Sequence, residues 1–155
     1  MIVEHASIED AKAILDLQKL AYRSEAMIYD DYSIPPLTQT LDQIRADFEK
    51  QLFLKITVDG RIVGSVRGYL EQHACYIGRL IVHPDFRKRG IGTRLMKEIE
   101  ASFPDALRYE LFTGHRSEGN LRLYRRLGYT PFAERQVNDR LTLVFLEKMI
   151  GHPEA

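Results

Sequence analysis

The sequence predicts a single α/β domain: a mixed, mostly antiparallel sheet of about seven strands flanked by about four helices. Three observations support this. Apolar residues recur with strand-like and helix-like periods in the order β-α-α-β-β-β-α-β-α-β-β. Asp59-Gly60 separates two strand-like runs and marks a tight hairpin, so the strands on either side run antiparallel. No internal repeat, low-complexity segment or linker interrupts the 155 residues, a length suited to one core and one domain over 1–155.

Residues 2–5 read as a short strand. Ser7 occupies an N-cap position with Asp10 three residues on, and Ile8, Ala11, Leu15, Leu17 and Leu20 carry a helical stripe to about Tyr22. In residues 23–39 tyrosines and acids alternate, and Pro35-Pro36 is read as forbidding regular helix there. A second helix from Thr40 or Leu41 to Lys50 carries Leu41, Ile44 and Phe48. Residues 52–58 and 61–70 form the hairpin, and a strand over 74–82 completes a three-strand meander. Ile91, Leu95, Ile99 and Phe103 recur every fourth residue, giving a buried stripe on a helix over 93–103. A strand over 108–112 follows, then a helix over 118–127 closed by Gly128. Strands over 130–136 and 141–149, separated by Asn138-Asp139, end the domain.

Composition narrows the function classes. Lys+Arg and Asp+Glu both number 22, so the chain lacks the basic excess of a general nucleic-acid or membrane-surface binder. With 45% hydrophobic and 28% charged residues it has the balance of an ordinary globular protein. The one cysteine, Cys75, excludes an internal disulfide and a cysteine-rich zinc site, and no metal is called for. Its apolar neighbours predict a buried, inert thiol. No signal-peptide pattern or long apolar run is present, which fits a cytoplasmic protein.

Two motifs carry chemistry. Arg87-Lys88-Arg89-Gly90-Ile91-Gly92 lies between the apolar run Leu80-Ile81-Val82 and a helix starting near Thr93. Unpaired N–H groups and the dipole at a helix start favour an anion, and glycine lets backbone approach it closely. A dinucleotide fingerprint would need glycine or alanine where Leu95 stands, and a P-loop would need Lys then Ser or Thr after its last glycine. The segment would also serve as a solvated basic turn. The second motif is Asn120 and Tyr124, four apart and so on one helix face. A phenol can donate a proton to a developing thiolate, and an amide can fix a ligand. Tyr124 is also three residues from both Leu121 and Leu127, the spacing of a core aromatic.

With these residues in view, the chain resembles the GNAT-type N-acetyltransferases, the acetyl-CoA-dependent superfamily. LIVHPDFRKRGIGTRLM is similar to that family's acetyl-CoA signature and NLRLYRRLGY to its second signature, in the same order and element pattern. Residues 23–50 lack a recognisable counterpart. The resemblance implies that Leu80, Ile81 and Val82 pair through their backbone with the pantetheine arm. It implies that N–H groups from Arg87 through Thr93 (Arg87, Lys88, Arg89, Gly90, Ile91, Gly92, Thr93) bind the pyrophosphate. Asn120 would contact the cofactor arm, and Tyr124 would be the general acid for the CoA thiolate. It further implies a bulge in the strand of residues 74–82, eased by Gly78, and a splay between that strand and the one over 108–112.

The implied reaction is direct attack of an amine on the acetyl thioester. A lysine-like amine with pKa about 10.4 must first lose a proton, at about 4.6 kcal/mol at pH 7. Some family members place a glutamate base near the position of Tyr76, where this chain has a poor base. Glu71 and His73 at the strand's entry are the nearest alternatives, with a water chain a third route. Ile81 or Val82 would supply an N–H to the oxyanion. Tyr29, Tyr32 and Tyr76 are candidate acceptor-binding residues, and Glu25, Asp30 and Asp31 give their segment an acidic cast suited to a cationic amine. His115 is a candidate rim residue. The final strand is a candidate dimer edge. Two other readings use the same loop: a non-catalytic acyl-CoA-binding sensor or interaction module, and a nucleotide-phosphate binder of another class.

Overall fold

The computed structural model describes residues 1–150; residues 151–155, the end of the expected domain, lie outside the described residues. Seven strands form one sheet: β1 (Val3–His5), β2 (Leu52–Val58), β3 (Arg61–Glu71), β4 (Ala74–Val82), β5 (Arg108–Gly114), β6 (Thr130–Gln136) and β7 (Thr142–Met149). Their order is β1-β2-β3-β4-β5-β7-β6. Every neighbouring pair is antiparallel except β4 and β5. The helices are α1 (Ala11–Ala21), α2 (Arg23–Tyr29), α3 (Pro35–Thr38), α4 (Leu41–Lys50), α5 (Ile91–Ala101) and α6 (Glu118–Arg126). Ile14, Leu17 and Ile44 of α1 and α4 pack with Phe53 and Ile81 on one face of the sheet. Leu95, Met96 and Ile99 of α5 and Tyr124 of α6 pack with Ile56, Cys75, Leu111 and Leu146 on the other.

Local signals act as expected at Ser7, Asp59-Gly60, Gly128 and Cys75, and the structure adds a cap at Thr40. The Ser7 N–H donates to the Asp10 carboxylate at 2.9 Å, in a single 3-10 turn that leads into α1. Thr40 caps α4, accepting from the Gln43 N–H at 3.2 Å while its own N–H donates to Gln43 Oε1 at 2.9 Å. Asp59 and Gly60 have φ of 51° and 78°, the left-handed pair that a type I′ hairpin turn requires. Gly128 ends α6 at φ 99°. Cys75 is fully buried, and burial pushes its thiol up to about 12.

Three expectations change. Residues 23–39 contain two helices, so six α-helices flank the sheet among the described residues. Pro35 and Pro36 begin α3, because a residue in the first turn needs no N–H for the helix and proline's fixed φ suits that position. The final strand β7 is not an edge: it lies between β5 and β6. The free edges are β1 and β6, and β6 is exposed along its whole length with Pro131, Glu134 and Arg135 on it.

The β4 bulge falls one residue beyond Gly78. Ser65 faces Ile81 and Arg67 faces Gly78, so Arg79 and Leu80 together oppose Val66. Arg79, not Gly78, takes the left-handed conformation, with φ 49°. For a residue with a Cβ that conformation costs roughly 1–2 kcal/mol. Below the bulge, β4 pairs with β5 at Ala74–Arg108, Cys75–Tyr109 and Tyr76–Glu110; beyond Tyr76 the two strands part.

Gly64 on β3 faces α5 so closely that a Cβ there would lie 2.7 Å from an Ile91 methyl and 3.0 Å from Leu95. Gly64→Val should therefore destabilise the fold by roughly 1–3 kcal/mol in urea denaturation, because both neighbours are fully buried.

Candidate active site

A cavity of about 570 Å³ opens where β4 and β5 part. It is bounded by the end of β4, the start of α5, the first turns of α6, and the junction of α1 with α2. Leu80, Ile81 and Val82 line it from β4, and Arg87, Lys88, Gly90, Ile91, Gly92 and Thr93 line it from the basic loop and α5. Asn120 lines it from α6. Arg89 does not; its guanidinium lies 4.8 Å above the Phe86 ring.

Gly90 is the N-cap of α5 at φ 80°, and no side chain caps that end. The first N–H groups of α5 have no partner inside the helix and face the cavity, where the dipole favours negative charge. Lys88, also left-handed at φ 62°, turns the chain into this position. Arg87 reaches across to the α1–α2 junction, donating to Ser24 Oγ at 3.2 Å. Gly92 has a packing reason as well: a Cβ there would sit 3.3 Å from Leu123 and 3.6 Å from Leu80.

β4 supplies an open edge. The His83 N–H donates to the Val63 carbonyl at 2.8 Å, which fixes alternation along the strand. Ile81 therefore points its N–H at β3, and Val82 points its N–H and C=O at the gap toward β5. Of the two residues expected to offer a donor there, Val82 is the one turned to the cavity.

A polar chain ties α2 to the other wall. The Ser117 hydroxyl donates to Glu25 Oε2 at 2.6 Å, and Asn120 Nδ2 contacts Glu25 Oε1 at 3.4 Å and Thr113 Oγ1 at 3.3 Å. The Tyr29 hydroxyl pairs with Ser117 Oγ at 2.8 Å and accepts from the Arg116 N–H at 2.9 Å. Glu25 and Ser117 both line the cavity. Tyr124 is 6% exposed, and burial, then Tyr22 and Glu25, raise its pKa above the usual phenol value. Tyr22 is likewise raised, by burial first; it lies within electrostatic reach of Arg79, Glu25 and Arg67. Tyr22 and Glu25 line the cavity, whereas Tyr124 is not among its lining residues and packs in the core behind it, its ring 6.1 Å from that of Tyr129.

Other expected site residues lie elsewhere. Tyr29 is 3% exposed with its hydroxyl committed to Ser117 and Arg116, so it braces the wall from beneath. Tyr32 is exposed at 58% on the surface. Tyr76 is half-buried on the other side of β4 from Cys75, stacked on Tyr69 at 5.3 Å. Glu71 is exposed at the β3–β4 turn, opposite Ala74. At about 3.3 Å per strand residue it stands roughly 20 Å along β4 from Leu80. His73 is in that same turn, left-handed at φ 70°. His115 accepts the Thr142 N–H at 3.0 Å, its ring 5.8 Å from that of Tyr29. Ser117 and Thr113 had no signal in the sequence beyond capping and strand positions, and Tyr22 read only as the end of a helix. No group of three His, Cys, Asp or Glu side chains able to hold a metal occurs among the described residues.

A parallel pair that parts beside a glycine-started helix is the arrangement of a known family. The chain belongs to the acetyltransferase (GNAT) family, whose model matches residues 11–129. It is 29% identical over 127 residues to the UPF0157 protein YqkA of Bacillus subtilis (strain 168), covering 82% of this chain and 36% of that protein. The chain thus spans about a third of that relative's length. Its fold matches the ribosomal-protein-S18-alanine N-acetyltransferase from Escherichia coli with a TM-score of 0.80 at 14% identity, covering 99% of this chain and 96% of that one. It also matches the PaiA N-acetyltransferase from Thermoplasma acidophilum, solved in complex with coenzyme A, with a TM-score of 0.68 at 19% identity, covering 97% and 100% of the two chains.

Proposed function

We propose that this chain is an N-acetyltransferase that moves the acetyl group of acetyl-CoA to a primary amine of a small molecule or protein. The observation that carries this reading is one cavity that opens onto an uncapped helix start, an unpaired strand edge and the Glu25 carboxylate. The cavity fits the cofactor: N–H groups of Ile91 to Thr93, with Arg87 and Lys88, suit the pyrophosphate, Val82 suits an extended amide arm, and Asn120 borders the same path. Acetyl-CoA supplies the activated thioester that the amine attacks.

The protein's own groups manage the protons. The raised pKa of Tyr124 keeps its hydroxyl protonated throughout the neutral range, so it can donate to the leaving sulfur. Glu25 takes the role of proton acceptor for the incoming ammonium, for which the sequence offered Glu71, His73 or a water chain, because Glu25 lines the cavity and neither Glu71 nor His73 does. Ser117 donates to Glu25 and Asn120 contacts it, fixing the carboxylate in place. The Val82 N–H is assigned to the thioester carbonyl, which leaves the Val82 C=O to accept from an amide of the arm. No helix among the described residues is long and apolar enough to cross a membrane, and we place the reaction in the cytoplasm. Should two copies pair through a strand edge, β6 is the candidate.

Tyr124→Phe should lower kcat about 100-fold or more while acetyl-CoA affinity, measured by calorimetry, stays within about threefold. An unchanged kcat with chemistry rate-limiting would remove Tyr124 from the mechanism. Glu25→Gln keeps the side chain's shape but not its basicity, so kcat/KM should fall about 100-fold near pH 7 while Glu71→Gln stays near wild type. The reverse ranking would restore Glu71.

A further inference from the structure

The face of α6 that borders the cavity carries two arginines, Arg122 and Arg126, alongside Gly119, Asn120 and Leu123. The two stand four apart and so share one helix face, whereas Arg125, next to Arg126 in sequence, does not line the cavity. α6 meets the first turn of α5 at Leu123, which would lie 3.3 Å from a Cβ at Gly92. Arg122 and Arg126 flank that contact, one residue before it and three after. Both therefore stand beside the helix start that favours an anion.

These cations are free of acidic partners. Among the described residues no ion pair involves Lys88, Arg122 or Arg126, and all three are exposed at the cavity rim. Glu118 lines the cavity four residues before Arg122, yet the two form no ion pair. Glu25 is engaged by Ser117 and Asn120 at the inner end. The lining thus sets four cations, Arg87, Lys88, Arg122 and Arg126, against two carboxylates. A diphosphate at the start of α5 already has the N–H groups of Ile91 to Thr93, with Arg87 and Lys88. Arg126 lies roughly 9 Å along α6 from Asn120, at about 1.5 Å per residue, on the side away from Glu25. A ligand with its reactive end at Glu25 and its diphosphate at α5 carries its outer part past the two arginines.

We propose that Arg122 and Arg126 form a second anion subsite for a phosphate monoester, the 3′-phosphate on the ribose of CoA, and that the chain thereby selects CoA over its 3′-dephospho form. The inference rests on the acetyltransferase reading and adds to it a determinant of donor choice. A phosphate monoester carries a charge of about −1.5 to −2 at neutral pH, and a guanidinium meets its oxygens with two parallel N–H donors. Two arginines one turn apart, with Cβ atoms about 5–6 Å from each other, suit one such group.

The test titrates the full chain by calorimetry with CoA and with 3′-dephospho-CoA, which share the diphosphate and the pantetheine arm. The wild type should bind CoA about 10- to 100-fold more tightly, and the gap should narrow as salt is raised, because the arginines are exposed. The double variant Arg122→Gln, Arg126→Gln should bring CoA down to the affinity of the dephospho form, while dephospho-CoA stays within about threefold of wild type and so reports an intact fold. Arg125→Gln, which removes the same charge outside the cavity, should leave the gap in place. Equal wild-type affinity for the two ligands overturns the proposal, as does a gap that survives the double substitution. An equal loss of both ligands also overturns it, by assigning the arginines to the shared diphosphate, and so does an Arg125→Gln variant that erases the gap. All of these outcomes leave the acetyltransferase reading standing; a wild type that binds neither ligand overturns that reading and the subsite with it.

Discussion

The molecule is organised around one hydrogen-bonding conflict. β4 cannot keep its register with β3 and also stay parallel to β5 along its whole length. It resolves the conflict at Arg79, where two residues face one and the backbone turns left-handed. Pairing with β5 has already ended at Tyr76, and past the bulge β4 remains on β3 alone, so Val82 is left with its polar backbone groups unpaired on the inner edge. An unpaired edge inside a domain is costly unless something fills it. The cavity beside it, and the uncapped start of α5 at its mouth, make that edge part of a binding site.

The cavity walls are held by polar contacts between parts of the chain distant in sequence. Glu25 on α2 meets Ser117, at the start of α6, and Asn120, and Tyr29 supports Ser117 from below. This chain of contacts fixes the orientation of α6 and with it Tyr124. A Cβ at Gly114 would run into the Tyr29 hydroxyl, so the close approach of α2 to the end of β5 depends on that glycine. The N-terminal segment is thus an integral wall of the site. It brings the Glu25 carboxylate to the cavity, opposite the wall formed by β4 and the start of α5.

The fold was legible wherever a residue type has one local meaning. Asp59-Gly60, Ser7 with Asp10, and Gly128 each set a turn or cap as expected, and the Ile91, Leu95, Ile99 stripe is buried. The same logic singled out the glycine loop, whose residues line the cavity at the start of α5. Tertiary context decided the rest. α2 is seven residues long and depends on burying Ala26 and Tyr29, which no periodicity in so short a segment reveals. Pro35 reads as a breaker unless it stands first in a helix. Glu71 and Glu25 look alike as acidic residues near tyrosines; only the bulge and the docking of α2 separate the one that lines the cavity from the one at the far hairpin. Strand order was equally hidden, and β7 proved central because β6 folds back outside it.

The most direct test of this account is a crystal structure of the chain with CoA. The pyrophosphate oxygens should lie about 3 Å from the backbone nitrogens of Ile91 to Thr93, with the pantetheine arm paired to Val82 and the sulfur beside the Tyr124 hydroxyl. A pyrophosphate bound away from the α5 start, or β4 and β5 paired beyond Tyr76 with the cofactor outside the gap, would contradict it.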